Sequence, residues 1–548
     1  MEFNFANAFE KVADTVPDHP ALIFGDLVRS WREYDDRASR LAAVLVAHGL
    51  GPHSKVGLYL HNSNEYSEAH LAAFKLRGIP VNINYRYQAK EVAYLLENAD
   101  AEAVVFHAQY GPLVAEAARN LPSLKCLVCV DDGSGTALQE KALDYESALA
   151  SHDPMPRIDR PFDDIYMIYT GGTTGMPKGV MYHNGAFCEA MFMGYGFRGL
   201  TPPQSMEQIP EAVEAVYASG DVPVSLVASP QMHGTGIGAG TMMPHLLGGS
   251  VITLPGTGLD SKLVWQTVEL YQVTDITIVG DVFAKPLLAE LDAARDSGRP
   301  YDLSSLRQII SSGVMWSAEV KHGLLKHHDM LLVDAMASSE GPMAVSMVTR
   351  ETQAQTARFS LNEGAKVFRD DGTEVEPGSG EIGLVATTGL VPLGYYKDPA
   401  KSAQTFREIG GIRYAFPGDF ASVDADGTIT LLGRGSQCIN TGGEKVFPEE
   451  VEEAIKRVHG ILDCLVVGLP DERFGERIVA VVSCEQDGTP DDSTLQSTLR
   501  MDLAGYKIPK EFVRTRTVVR SPSGKADYGW ARDVARSALV GSTSPANG

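Results

Sequence analysis

The sequence predicts an α/β protein. It has a large N-terminal domain with parallel-type sheets, a small β-rich subdomain, and a small α+β C-terminal domain. Three observations lead there. Helical and strand periodicities alternate through the first part of the chain. From about Phe359 short strand patterns sit between turn signals. After Gly433 a linker leads into a separate α+β pattern of about 110 residues, within the usual domain range.

The elements follow in chain order. Asp36 to His48 (DRASRLAAVLVAH) carries apolar residues at helical spacing, and Lys55 to Leu60 (KVGLYL) reads as a strand. Glu65 to Leu76 is helical, Ile79 to Ile83 strand-like, Glu91 to Asn98 helical and Ala103 to Phe106 a strand. A second alternation spans about Val224 to Asp334. Leu200 to Pro223 before it reads as a long loop with a short helix around Glu211 to Tyr217. In the β-rich stretch, 369–372, 376–380 and 424–427 are turn segments rich in Asp, Gly and Pro. Beyond the linker, Glu449 to Val458 and Thr494 to Leu503 are expected helices. Cys464 to Gly468 and Ile478 to Cys484 are expected strands. The tail 541–548 has a disordered composition.

Composition narrows the function. The chain has 548 residues, with 47 Lys plus Arg against 70 Asp plus Glu, and so a net charge of −23. That excludes nucleic acid as the main partner, though a local site can still bind anions. No run approaches the ~18 consecutive apolar residues of a membrane helix. The N-terminus, Met1-Glu2-Phe3-Asn4-Phe5, lacks a basic region followed by an apolar block, so no signal peptide is expected. Six cysteines point to a reducing compartment, and a cytoplasmic location is expected. Cys126 and Cys129 form a C-x-x-C, but inside an apolar strand with no second pair, so they read as core thiols.

The chemistry concentrates in Tyr169-Thr170-Gly171-Gly172-Thr173-Thr174-Gly175-Met176-Pro177-Lys178-Gly179, directly after the strand pattern Ile165 to Ile168. Backbone N–H groups and hydroxyls can donate to phosphate oxygens, and glycines let the backbone approach. Lys178 adds a mobile point charge. The order is not that of a Walker A loop, because Pro177 precedes the lysine and Gly179 follows it.

This loop resembles the signature of the adenylate-forming superfamily: acyl-CoA synthetases, luciferases and peptide-synthetase adenylation domains. Gly171 stands where that family usually has Ser. The likeness runs over nearly the whole chain, beginning at Pro17-Asp18-His19-Pro20-Ala21-Leu22-Ile23. It implies that Thr170, Gly171, Gly172, Thr173, Thr174, Gly175 and Lys178 bind ATP phosphates. It also implies that Gly313, in Ser311-Ser312-Gly313, borders adenine. In Asp334-Ala335-Met336-Ala337-Ser338-Ser339-Glu340-Gly341, Ser339 would contact the nucleotide and Glu340 would hold Mg²⁺, a hard cation suited to carboxylate oxygen. Met336 and Ala337 replace the Tyr and Gly usual in that motif.

Gly418-Asp419-Phe420 resembles the family's Gly-Asp motif. Asp419 would accept both ribose hydroxyls, which two carboxylate oxygens allow, and Arg434 would touch the ribose. The stretch Gly433 to Glu452 resembles the segment joining the two domains. Gln437 stands at the hinge position, often Asp in the family, and Gly442 and Gly443 would line the approach of pantetheine. Ser523-Gly524-Lys525 resembles the final motif, which makes Lys525 the adenylation lysine. The domains implied are 1–433, with its β-rich part at about 359–433, a hinge at 434–440, and a mobile lid at 441–540.

By the same resemblance the reaction has two steps. A carboxylate attacks ATP to give acyl-AMP and pyrophosphate, with Lys178, Glu340 and Lys525 as catalytic residues. The lid then turns and a thiol takes the acyl group. Only about 20 residues follow Lys525, too few for a carrier domain, so CoA is the expected acceptor. An acyl-AMP ligase serving a separate carrier is the alternative. Arg500 to Lys525 holds seven basic residues against two acids, either a footprint for CoA phosphates or a solvated face.

Ser229 to Gly240 is Gly-rich and would border the acyl pocket. His233 and Gly234 would then lie near the carboxylate, or His233 is a structural histidine. No Asp stands where amino-acid activators bind an α-amine. The expected acid is a fatty acid or a steroid side-chain acid, as in bacterial acyl-CoA synthetases. The resemblance leaves a homodimer open. A P-loop kinase would instead yield ADP, and a silent binding module would lack Lys178, Glu340, Asp419 or Lys525.

Overall fold

The computed structural model describes residues 2–119, 121–170, 177–352, 354–441, 444–471, 474–485, 490–501, 503–520 and 524–541. The chain forms two compact units, one of 1–356 with 387–415 and the other of 357–386 with 416–548. The stretch 359–433 is therefore shared. Its strands up to Ile382–Ala386, and those from Asp419–Val423 on, belong with the C-terminal residues, while 387–415 belongs with the first unit.

The first unit opens with the helix Phe5–Thr15, capped by the Asn4 side chain on the Ala6 N–H. Its residues Phe5, Phe9 and Val12 are buried. The expected alternation then appears with small shifts of boundary. Strands Ile79–Asn82, Lys55–Tyr59, Ala101–His107, Cys126–Val130 and Leu143–Asp144 form one all-parallel sheet in that order. Helices Asn64–Lys75 and Ala89–Ala99 connect its strands. Cys126 and Cys129 are free thiols buried in this sheet, and burial pushes them up to about 12 and about 11.

A second sheet runs Leu27–Ser30, Pro20–Phe24, Ser250–Thr253, Val224–Val227, Asp275–Ile278, Gln308–Ser312, Leu331–Ser338 and Gly341–Val348. Its interior pairs are parallel and its two outer pairs antiparallel. The short helix expected around Glu211 to Tyr217 is present and runs longer at both ends, Ile209–Ser219. Pro210 sits in its first turn and Gly220 ends it in the left-handed region, so proline and glycine there are a start and a stop rather than loop residues.

In the second unit, Ile461–Asp471 and Gly475–Cys484 form a long antiparallel pair, with Glu511–Thr515 added in parallel. Alternate residues are buried on opposite faces. Cys464 and Val466 meet the helices Pro448–Lys456 and Asp492–Leu499. Leu465 and Val467 meet the helix Tyr528–Gly541. Burial on both faces explains why these strands read as apolar runs. The rest of the tail, 542–548, lies outside the described residues.

Candidate active site

In the first unit the strand Ile165–Thr170 returns as Lys178–His183, with Thr170 opposite Lys178. Residues 171–176, with Gly171, Gly172, Thr173, Thr174 and Gly175 of the expected phosphate loop, lie outside the described residues. The flanks are well fixed. The Asn82 side chain accepts from the Tyr169 N–H at 2.7 Å and donates to the Tyr169 and Met232 carbonyls at 2.8 and 2.7 Å. One amide thus sets the position of the strand entering the loop and of the turn carrying His233.

Gly394–Tyr395 pairs with the returning strand and brings two residues that sequence reading missed. Asp398 Oδ2 lies 2.6 Å from Lys178 Nζ, and this ammonium holds the Asp398 carboxyl below the usual range. The Lys178 ammonium also lies 5.6 Å from the Tyr395 ring centroid. The Tyr395 hydroxyl donates to Glu340 Oε1 at 2.6 Å. Tyr395 therefore ties together Lys178 and Glu340, which are 162 positions apart in sequence.

Ser339 and Glu340 form the two-residue connection between Leu331–Ser338 and Gly341–Val348, where Ser338 pairs with Gly341. Tyr182, on the returning strand, donates its hydroxyl to the Ser339 carbonyl at 2.8 Å. Gly313 follows the neighbouring strand with φ +93°, a conformation that favours glycine, and a Cβ there would stand 3.9 Å from Val279 Cγ1. The arrangement brings together Lys178, Ser339 and Glu340. One carboxylate oriented by a tyrosine, next to a lysine, fits Mg²⁺, which takes one or two carboxylates plus phosphate oxygens.

The Gly-rich segment forms a π-helix, Thr235–Met242, a rare arrangement that is frequent at functional sites. A Cβ on Gly236 would stand 2.3 Å from the Pro230 carbonyl, and one on Gly240 2.7 Å from Thr277 Oγ1. These glycines let the helix lie against the strands. Gly234 is exposed with open space around it, and His233 is half-buried. Nearby, Met243, Ile310 and Val333 form an apolar cluster flanked by Met191, Phe197 and Ala239.

In the second unit Asp419 and Arg434 face each other across paired strands, with Arg434 Nε 3.1 Å from Asp419 Oδ1. Asp419 Oδ2 is buried without a hydrogen-bond partner, so it can take a donor from a ligand hydroxyl. Gln437 lies in the turn Gly435–Gln437, buried, and its Oε1 accepts from Arg532 Nη2 at 3.0 Å. Gly442 and Gly443 lie outside the described residues. Lys525 follows Gly524, whose φ is +71°, and precedes Ala526, which forms an antiparallel bridge with Arg520.

Residues 9–396 match the AMP-binding enzyme family, and residues 450–525 match the AMP-binding enzyme C-terminal domain. The chain belongs to the AMP-binding enzyme family.

Among related members, it is 39% identical over 97% of both chains to a medium/long-chain-fatty-acid–CoA/3-oxocholest-4-en-26-oate–CoA ligase of Mycolicibacterium smegmatis. It is 40% identical to a 3-oxocholest-4-en-26-oate–CoA ligase of Rhodococcus rhodochrous, over 97% of this chain and 96% of that one. Solved structures share the fold. The anthranilate CoA ligase AuaEII with anthranoyl-AMP superposes with a TM-score of 0.82 at 22% identity, covering 98% of each chain. ATP-bound MatB from Rhodopseudomonas palustris superposes with 0.79 at 24% identity, covering 97% of this chain and 99% of that one. The α/β class expected from sequence is the fold observed, with mixed rather than purely parallel sheets in the large part. No helix among the described residues is long and apolar enough to cross a membrane.

Proposed function

We propose that this AMP-binding enzyme is an ATP-dependent acyl-CoA synthetase acting on a hydrophobic carboxylic acid, a fatty acid or a steroid side-chain acid. The observation that carries the reading is the full-length likeness to the two CoA ligases. The apolar cluster beside the π-helix supports an apolar acid.

In the first step a carboxylate oxygen attacks the α-phosphorus of ATP. The bond from that phosphorus to the bridging oxygen breaks and pyrophosphate leaves. Two anions meet, so fixed donors and cations must be in place beforehand. Lys178, Thr170 and the 171–175 loop are assigned to the phosphates, and Gly313 and Ser339 to the adenine side. Asp419 and Arg434 are assigned to the ribose. Glu340 would hold Mg²⁺, which when bound offsets phosphate charge as a Lewis acid. Lys525 is assigned to the acyl carboxylate and the charge that develops there.

In the second step the CoA sulfur attacks the acyl carbon. The carbon–oxygen bond to AMP breaks, and the thiol proton goes to solvent. A turn about Gln437 would exchange Lys525 for the Gly442–Gly443 stretch, and His233 and Gly234 would border the acyl carboxylate. The homodimer and the cytoplasmic setting belong to the same proposal, and sedimentation and cell fractionation test them.

The test is incubation with ATP, Mg²⁺, CoA and a panel of medium and long fatty acids and steroid side-chain acids. AMP, pyrophosphate and acyl-CoA are expected with one class. Acyl-AMP without thioester would favour a separate carrier as acceptor, and ADP would overturn the reading.

A further inference from the structure

The second unit holds a buried carboxyl that the two-step reaction leaves without a role. Glu449 stands in the first turn of the helix Pro448–Lys456. Its side chain reaches back across the turn Gly435–Gln437, where Oε1 accepts from the Arg434 N–H at 3.4 Å. Its Oε2 is buried with no hydrogen-bond partner, as is Asp419 Oδ2 on the neighbouring strand. Gly433 makes room for it: a Cβ there would stand 2.2 Å from Glu449 Oε2, and its φ is +135°. A second contact spans the same turn, with the Phe420 and Phe447 rings 5.3 Å apart.

We infer that Glu449 is a positioning residue, a latch that ties the start of the lid helix to the Asp419–Arg434 pair across the hinge turn. The lid must turn about this segment between half-reactions if the proposed function holds, and the latch would have to open for that turn. Rotation about a few terminal residues is a known mode of domain movement.

The latch is sensitive to pH. Asp419 and Arg434 face Glu449 from the strands, Glu452 from its own helix and Tyr528 from the helix Tyr528–Gly541. Lys456 and Arg520 lie beyond Glu452. Burial, then the charges of Glu452 and Asp419, push the Glu449 carboxyl up to about 8. The closed latch thus holds a neutral carboxyl. A freed Glu449 would titrate in the ordinary carboxylate range, so the closed form binds the extra proton. The latch is tightest in acid and weakens as pH rises from that range through about 8.

The experiment compares the full-length wild type with Glu449→Gln and Glu449→Ala by hydrogen exchange of the peptide carrying the Arg434 amide. Each pH from 6 to 9 is read as a ratio between proteins, which cancels the intrinsic pH dependence of exchange. Glu449→Gln imitates the neutral carboxyl and should stay protected throughout. The wild type should already exchange faster than it at pH 6, by about a further tenfold for each pH unit up to about 8, and the difference should level off by pH 9, one pKa unit being a factor of ten. Glu449→Ala should exchange fast at every pH. Equal protection of wild type and Glu449→Gln across the range would overturn the latch, even if Glu449→Ala fails to fold. This readout needs no turnover, so it stands apart from the enzymatic proposal. In an active enzyme, the ratio of acyl-AMP formation to acyl transfer should vary with pH in a way that Glu449→Gln flattens relative to wild type.

Discussion

Lys178 Nζ lies 2.6 Å from Asp398 Oδ2, so the lysine assigned to ATP phosphates already has an anionic partner. The two side chains are 38% and 32% exposed, and pairs this exposed contribute ~0–1 kcal/mol. A polyphosphate can therefore displace Asp398 at small cost. Lys178→Ala should lower the rate of acyl-AMP formation by about 10²–10³-fold, the effect of removing one preorganised charge contact. Asp398→Asn should change it by less than about tenfold. Single-turnover pyrophosphate release measures both. A larger loss in Asp398→Asn than in Lys178→Ala would mean that the carboxylate, not the lysine, handles the nucleotide.

Tyr395 separates two roles in one side chain, a ring beside Lys178 and a hydroxyl on Glu340. Tyr395→Phe keeps the ring and removes the donor. The Mg²⁺ concentration for half-maximal AMP formation should rise by about tenfold, as when a partner that orients a metal ligand is lost. The rate at saturating Mg²⁺ should stay close to wild type. An unchanged Mg²⁺ titration would remove Glu340 from the cation site.

The parts legible in the sequence were those whose signal is local. Alternating periodicity gave the parallel sheet from Lys55–Tyr59 onward, and the apolar run from Ile165 gave the strand Ile165–Thr170. Tyr395 and Asp398 carried no such signal. They reach Lys178 by a strand pairing more than 200 positions away, and Gly394–Tyr395 is only two residues long. Asn82 did leave a trace, as a polar residue inside the apolar run Ile79 to Ile83, where a buried amide must find partners. The helix Ile209–Ser219 was legible in its middle, Glu211 to Tyr217, and its ends were not, because Pro210 and Gly220 look like loop residues until they are placed at its two ends.

Asp419 has one oxygen on Arg434 and the other buried without a partner. A ribose hydroxyl donating to Oδ2 would relieve that deficit, and hydrogen bonds to charged groups contribute about 1.5–3 kcal/mol. Asp419→Ala should weaken ATP binding by about 10–100-fold in calorimetry. The wild type should also discriminate against 2′,3′-dideoxy-ATP by a similar factor, and the variant should not. Equal affinity of the wild type for both nucleotides would take the ribose away from Asp419.

Lys321, on the helix Ala318–His327, and Asp334, on the strand that leads to Ser339 and Glu340, form a buried pair, Nζ to Oδ2 2.7 Å. Burial pushes the Asp334 carboxyl up to about 6, while Lys321 pulls the other way. Because the folded form holds its proton more tightly than the unfolded chain, the Asp334 contribution is greatest in acid and declines as pH rises through about 6. Lys321→Met would leave that carboxyl buried and unpaired, which costs about 3–5 kcal/mol when it must ionise. The loss of stability to urea should be near that size at pH 8 and clearly smaller at pH 5, where protonation neutralises the orphan. The Lys321 ammonium also lies 5.3 Å from the Trp316 ring centroid, so part of any loss could come from this contact instead. That part does not depend on the ionisation of Asp334. An equal loss at both pH values would therefore assign the stability to the lysine on Trp316 and not to the charge pair.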